Sequence, residues 1–158
     1  LKELGYQVGT GFLVGSPWQT MANLLEDLAF IRELQPQMIG IGPFIPHHAT
    51  PFKNYPAGTL EQTLTLLSVL RLMFPKVLLP ATTALGTIVP NGRELGILAG
   101  ANVVMPNLSP ADVRQNYLLY DNKLCSGAEA AEAKNDLAAR LHSIGYEIAE
   151  GRGDYKES

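Results

Sequence analysis

Residues 79–107 read LPATTALGTIVPNGRELGILAGANVVMPN, and the alternation of apolar runs and polar breaks in this stretch decides the fold. Its lead-in, Val77–Pro80, is a short apolar run that breaks into two adjacent hydroxyls, Thr82 and Thr83. A helix opens at Asn91–Gly92, where Asn91 and Glu94 have the spacing of a capping arrangement for Gly92–Ala99. A second apolar run, Val103–Met105, then breaks into Pro106–Asn107. Short apolar runs bounded by turn residues are buried strands, and two of them joined by a helix make a βαβ unit. Ligands of parallel α/β sheets bind outside the carboxyl ends of the strands, so the polar residues at these two ends belong to a binding face.

The same alternation extends outward on both sides. Gln7–Val14 and Met38–Gly42 are the strands before it, ended by Gly15-Ser16-Pro17 and by the proline-rich loop Pro43–Gly58. Thr20 caps a helix through Leu34 whose stripe is Met21, Leu24, Leu25, Leu28 and Ile31, and Pro36 stops it. Thr59 with Gln62 opens a helix to Met73, with Leu60, Leu64, Leu67 and Leu70 on its buried stripe and Pro75 after it. Beyond the central stretch, Ser109-Pro110 with Asp112 starts a helix to Tyr120. Ser126 and Glu129 open a last helix, Ala130–Ile144, with Leu137, Leu141 and Ile144 inward, Gly145 closing it and a polar tail over Gly151–Ser158. Four βα units in succession, plus an extra carboxyl-terminal helix, predict an α/β fold with a parallel sheet: half of a (β/α)₈ TIM barrel. An open four-stranded sheet is the competing geometry. Leu1–Gly5 reads as the end of a helix, so residues 1–158 are expected to be one partial barrel domain cut from something longer.

Composition narrows the function. With 158 residues, 46% hydrophobic and 17% charged, the chain suits a packed domain. A net charge of -3 provides no basic footprint for nucleic acid or an anionic membrane surface. One cysteine, Cys125, forms no internal disulfide and fits a reducing cytoplasm. No apolar run approaches the roughly 20 residues of a membrane span.

The candidate site residues each carry a plain packing alternative. Thr82 and Thr83, with neighbouring backbone N–H groups, have the chemistry to cradle an oxyanion, or they terminate a strand with local hydrogen bonds. Met38 and Met105 are core filler by residue type, and Tyr117 lies at helical spacing from Val113 and Tyr120. His47 and His48 are adjacent on what reads as an extended loop, where neighbours point opposite ways and chelate poorly. No carboxylate lies near them in sequence, so no metal site is expected. Gly9, Gly15, Gly40 and Gly42 serve close packing, because no G-x-G-x-x-G is present.

Five blocks add a resemblance: GTGFLVGSPWQT, MIGIGPFIPHHATP, LPATTALGT, GRELGILAGANVVMPNLSP and RQNYLLYDNK, spread from Gly9 to Lys123. Together they resemble the carboxyl-terminal half of radical-SAM enzymes of the biotin-synthase group, and within it the hydrogenase maturases, to which PATTALGT followed by GANVVMPN is specific. The resemblance implies a (β/α)₈ barrel that binds S-adenosylmethionine and a [4Fe-4S] cluster held by a CxxxCxxC motif. That motif is absent here, so the amino-terminal half is expected to supply it and this fragment alone is expected to be inactive. By the same resemblance Thr82 and Thr83 bind the anionic end of a small-molecule substrate, Met38 and Met105 line the cavity, and Tyr117 lies near the adenosyl group. His47 is the histidine of the PFIPH block and shapes the active-site face, with Phe44 and Ile45 as apolar wall. Cys125 stands where some members place the first ligand of a second, peripheral cluster. No cysteines follow it, and one thiolate does not hold a cluster that takes about four protein ligands.

The implied activity is assembly of the di-iron subcluster of [FeFe] hydrogenase, with other hydrogenase maturases as partners. The alternatives are another enzyme of the group, biotin synthase or methylornithine synthase, and a stand-alone sugar- or anion-binding α/β domain.

Overall fold

The computed structural model describes residues 1–106, 110, 112–113, 116, 119–123 and 130–156, and of 130–133 the backbone only. A 3₁₀ turn at Lys2–Leu4 leads into β1 (Gly9–Val14), α1 (Met21–Leu34), β2 (Met38–Pro43) and α2 (Leu60–Met73). Then follow β3 (Pro80–Ala81), α3 (Thr83–Ile88), α4 (Gly92–Leu98), β4 (Val103–Val104) and α5 (Ala130–Ser143).

The strands lie side by side in chain order, all parallel. β1 pairs with β2 from Gly9↔Met38 to Val14↔Pro43. On its other edge β2 meets the lead-in to β3: Ile39 N–H donates to the Leu78 carbonyl at 2.9 Å, and Leu78 N–H to the Gln37 carbonyl at 3.0 Å. β3 pairs with β4 through Pro80↔Val103 and Ala81↔Val104. Parallel neighbours need a crossover, and helices α1, α2 and the α3–α4 pair supply one per step. The result is a mixed α/β architecture with parallel strands and five α-helices among the described residues.

Alternation along the strands divides the sheet. Ile39 and Ile41 of β2 are fully buried on the helix side, with Val14, Ile31, Leu67, Leu70, Leu79 and Leu85. Gly40 and Gly42 occupy the opposite face, one residue out of phase. Each fully buried aliphatic side chain contributes roughly 1.5–3 kcal/mol, so this one layer anchors the sheet to α2 and α4.

The helix signals hold at the starts of α1 and α2. Thr20 and Asn23 form a reciprocal capping box, and Thr59 Oγ1 accepts from Gln62 N–H at 3.2 Å. In α5, Leu137 and Leu141 are buried and Ile144 packs against the core, and Gly145 follows at φ +84°.

Four expectations are corrected. The third strand, expected within the Val77–Pro80 run as Val77–Leu79, is instead Pro80–Ala81: Leu78 bonds to β2, while the ladder to β4 begins at Pro80 because the Asn102 side chain occupies Leu79 N–H. The short helix α3 follows Thr82 directly and is held by Leu85, whose side chain is wholly buried. On α1 only Ile31 of the anticipated stripe is fully buried, and Met21 and Leu25 stand 70% and 60% exposed. Asn91 makes no capping bond, and Glu94 is not at the surface. Arg140 of α5 reaches Glu94 with a bidentate pair through Nε and Nη2, and Nη2 also donates to the Pro90 carbonyl at 2.5 Å. Next to it burial, and secondarily the Arg140 charge, lower the Arg93 pKa, with Glu94 opposing. The helix expected from Ser109 to Tyr120 and the cap at Ser126 and Glu129 fall largely outside the described residues.

Two measurements follow. Arg140→Met leaves the Glu94 carboxylate buried without its partner and is expected to cost about 2–3 kcal/mol in chemical denaturation, with most of it recovered in the Arg140→Met, Glu94→Leu double variant. β1 has β2 on one edge and no strand on the other among the described residues, and Leu13, Met21 and Leu25 are exposed beside it. The isolated chain is therefore expected to sediment as dimers or larger species at micromolar concentration, whereas a clean monomer would argue against a sheet that continues past β1.

Candidate functional site

A cavity of about 640 Å³ opens over the carboxyl ends of β1, β2 and β3. Its floor is the glycine face of the sheet. A Cβ on Gly11 would stand 1.8 Å from the Gly40 carbonyl oxygen, and one on Gly42 would stand 2.7 Å from Thr82 Oγ1, so these two positions do not accept a side chain, whereas a Cβ on Gly40 would meet nothing within 4 Å. Phe12, Leu13, Phe44, Ile45 and Phe52 supply apolar wall, with Leu119 and Tyr120 closing one side. Thr82, His47 and Thr50 are its polar side chains apart from the Tyr120 hydroxyl.

The loop after β2 is folded rather than extended. Phe44 N–H donates to the Val14 carbonyl and Gly58 N–H to the Phe44 carbonyl, each at 2.8 Å, so the loop start is tied to β1 and the loop end to its start. Trp18, Phe52 and Tyr55 pack edge to face, with centroids 5.3 to 6.0 Å apart, and Phe44 joins through Phe52. Trp18 takes φ +64°, a left-handed conformation that costs a residue with a Cβ and is offset here by the aromatic packing.

The residues singled out in the sequence are distributed unevenly. Thr82, Phe44, Ile45 and His47 all line the cavity. Thr83 is adjacent in the first turn of α3, where its carbonyl accepts from Thr87 Oγ1 at 3.1 Å. Met38 shares the glycine face but begins β2, at the opposite end of the strand from the cavity. Met105 follows β4, is 49% exposed and does not line the cavity. Tyr117 and Cys125 lie outside the described residues. Gly11, Gly40, Phe52 and Tyr120 line the cavity without having been singled out for it. Glycine at alternate positions of two paired strands was the available signal.

Two polar features stand out. Among the described residues, Thr82 Oγ1 is one of three buried side-chain polar atoms with no hydrogen-bond partner. It caps no helix either, although Thr82 is the N-cap residue of α3. The second feature corrects the picture of His47 and His48 as divergent. Thr50 N–H donates to the His47 carbonyl at 3.0 Å, so residues 47–50 form a turn and the two rings stack with centroids 4.3 Å apart. Asp121 sits against them: its carboxylate accepts from His48 N–H at 2.9 Å and meets His48 Nδ1 at 2.7 Å. The hydrogen bond from the His48 side chain holds the Asp121 carboxyl below its usual pKa. A lowered folded-state pKa means that this contact contributes stability above the ordinary carboxylate value and loses it as pH falls through the lowered one.

The donors of this chain do not fit an iron–sulfur cluster, because its single cysteine is far short of the about four protein ligands required. No helix of the described residues is long and apolar enough to cross a membrane.

No family model matches the chain. It is 50% identical over 125 residues, 79% of its own length and 36% of the other, to the [FeFe] hydrogenase maturase subunit HydE of Thermotoga maritima. It is 34% identical over 123 residues to the 3-methylornithine synthase of Methanosarcina barkeri, covering 78% of this chain and 34% of that one. The 3-methylornithine synthase of Methanosarcina acetivorans is 28% identical over 148 residues, 94% of this chain and 41% of that one. The chain thus spans between about a third and two fifths of the length of the curated relatives it matches. Half identity over four fifths of its residues makes the chain a relative of the HydE maturase, a radical-SAM family member, and its 36% share of that protein fits a carboxyl-terminal half.

Proposed function

We propose that this chain is the carboxyl-terminal half-barrel of a cytoplasmic radical-SAM maturase, whose cavity holds an anionic small-molecule substrate during assembly of the di-iron subcluster of [FeFe] hydrogenase. The observation that carries the reading is the Thr82 hydroxyl: buried at the wall of an otherwise apolar cavity, it has no protein partner. A buried hydroxyl left unpaired costs about 1–3 kcal/mol, and a ligand that supplies the partner recovers it. The consecutive parallel strands support the barrel, and the cavity at their carboxyl ends lies where barrel enzymes bind substrate.

The work assigned to this chain is positioning and exclusion of water. Phe44, Ile45 and Phe52 keep the space apolar, and the glycine floor leaves room for a ligand within reach of Thr82. A reduced cluster with S-adenosylmethionine would supply the radical chemistry, and the cysteines that hold the cluster would come from sequence outside this chain. Other hydrogenase maturases are the proposed partners.

A second reading has support in the two synthase relatives: the same half-barrel serving a 3-methylornithine-type substrate. The higher identity to the maturase favours the first reading. Hydrogenase and maturase genes beside the coding sequence would separate the two. An in-frame upstream segment with CxxxCxxC would separate both from a stand-alone anion-binding domain.

Thr82→Val in the full-length protein tests the site. One lost hydrogen bond of about 1.4 kcal/mol lowers the rate of hydrogenase maturation in a reconstituted assay about tenfold, while S-adenosylmethionine binding and the unfolding midpoint hold or improve. Thr83→Val added to it deepens the loss. An unchanged maturation rate in the double variant removes the threonines from the role.

A further inference from the structure

We propose that His47, His48 and Asp121 form a binding site for one divalent transition-metal ion of the zinc class at the mouth of the cavity. Each residue offers a donor atom, and the three atoms lie within 4.8 Å of one another. A tetrahedral zinc ion with bonds of about 2.0–2.1 Å sets its ligand atoms roughly 3.4 Å apart, so each donor moves by about 1 Å or less to close the site.

The scaffold is already built. The turn at residues 47–50 puts both imidazoles on one side, held by Thr50 N–H and Thr50 Oγ1 on the His47 carbonyl at 3.0 and 2.9 Å. Asp121 arrives from 73 positions away and is fixed by its own N–H on the Pro46 carbonyl at 3.2 Å. Its carboxylate is oriented by the His48 backbone. The His48 side chain is 76% exposed and free to adjust, whereas His47 belongs to the cavity lining.

Two imidazoles and a carboxylate favour zinc, nickel or copper over magnesium or calcium, which take oxygen ligands. The ion takes the place of the hydrogen between His48 Nδ1 and Asp121: a neutral His48 carries that proton on Nε2 instead, and a protonated one releases a proton as the ion enters. With three protein ligands at least one position remains for water or for a substrate atom. The ion then ties the loop after β2 to residues 119–123, two elements that flank the cavity. Without it the side-chain pair of His48 and Asp121 is an exposed contact, worth little by itself.

The test uses the full-length protein with its iron–sulfur cluster reconstituted anaerobically, so that the cluster cysteines are occupied. Zinc ion is titrated calorimetrically in excess magnesium, and the bound zinc is examined by X-ray absorption. The expected result is one zinc per chain with nitrogen and oxygen neighbours only. Affinity falls tenfold or more in each of His47→Ala, His48→Ala and Asp121→Ala and is unchanged in Cys125→Ser. Circular dichroism checks that the variants fold, and His48→Gln, which keeps a polar side chain, serves if His48→Ala does not. Sulfur in the zinc shell, zinc affinity that survives any one of the three ligand substitutions, or no binding at all overturns the site.

Discussion

Strand β2 is the constraint on which the rest depends. It is hydrogen-bonded along one edge to β1 and on the other to the lead-in of β3, so its register has no freedom to slip. A slip of one residue would send Ile39 and Ile41 to the cavity and leave Gly40 and Gly42 under the helices. The same alternation that buries two isoleucines therefore produces the glycine floor. Fold stability and cavity volume are two faces of one strand.

What surrounds the floor is set by how the chain leaves each strand. After β2 the loop folds back on β1 and presents Phe44, Phe52 and His47 to the cavity. After β3 the chain turns at once into α3, which puts the Thr82 hydroxyl against Gly42. On the far side α5 is bound through Arg140 to the carboxylate of Glu94 in α4, and through Leu137 and Leu141 to the core. That pair sits away from the cavity lining, so it belongs to the support of the helix layer rather than to recognition.

Much of this was legible in the residues, and for local reasons. Thr20 and Thr59 mark helix starts because a hydroxyl followed by free N–H groups has few other uses, and Pro36 and Pro75 end those helices by sterics. Thr82, Phe44, Ile45 and His47 were placed at the cavity by motif and by their position after strands. Long-range geometry was not legible. Met38 carries a cavity-type side chain on the correct face, but at the wrong end of β2, and period-2 patterning says nothing about height. Glu94 looked like a cap because its partner Arg140 lies 46 positions away. His47 and His48 read as divergent and without a carboxylate because a turn, which local composition did not announce, brings them to an aspartate 73 positions beyond His48.

The central claim is that this chain belongs to a radical-SAM enzyme. The most direct measurement is anaerobic reconstitution of the full-length protein, followed by iron analysis and by assay of 5′-deoxyadenosine released from S-adenosylmethionine under reduction. The account predicts a cluster of about four irons bound by cysteines outside residues 1–158, with 5′-deoxyadenosine formed in step with it. A full-length protein that binds no cluster and releases none of that nucleoside would contradict it.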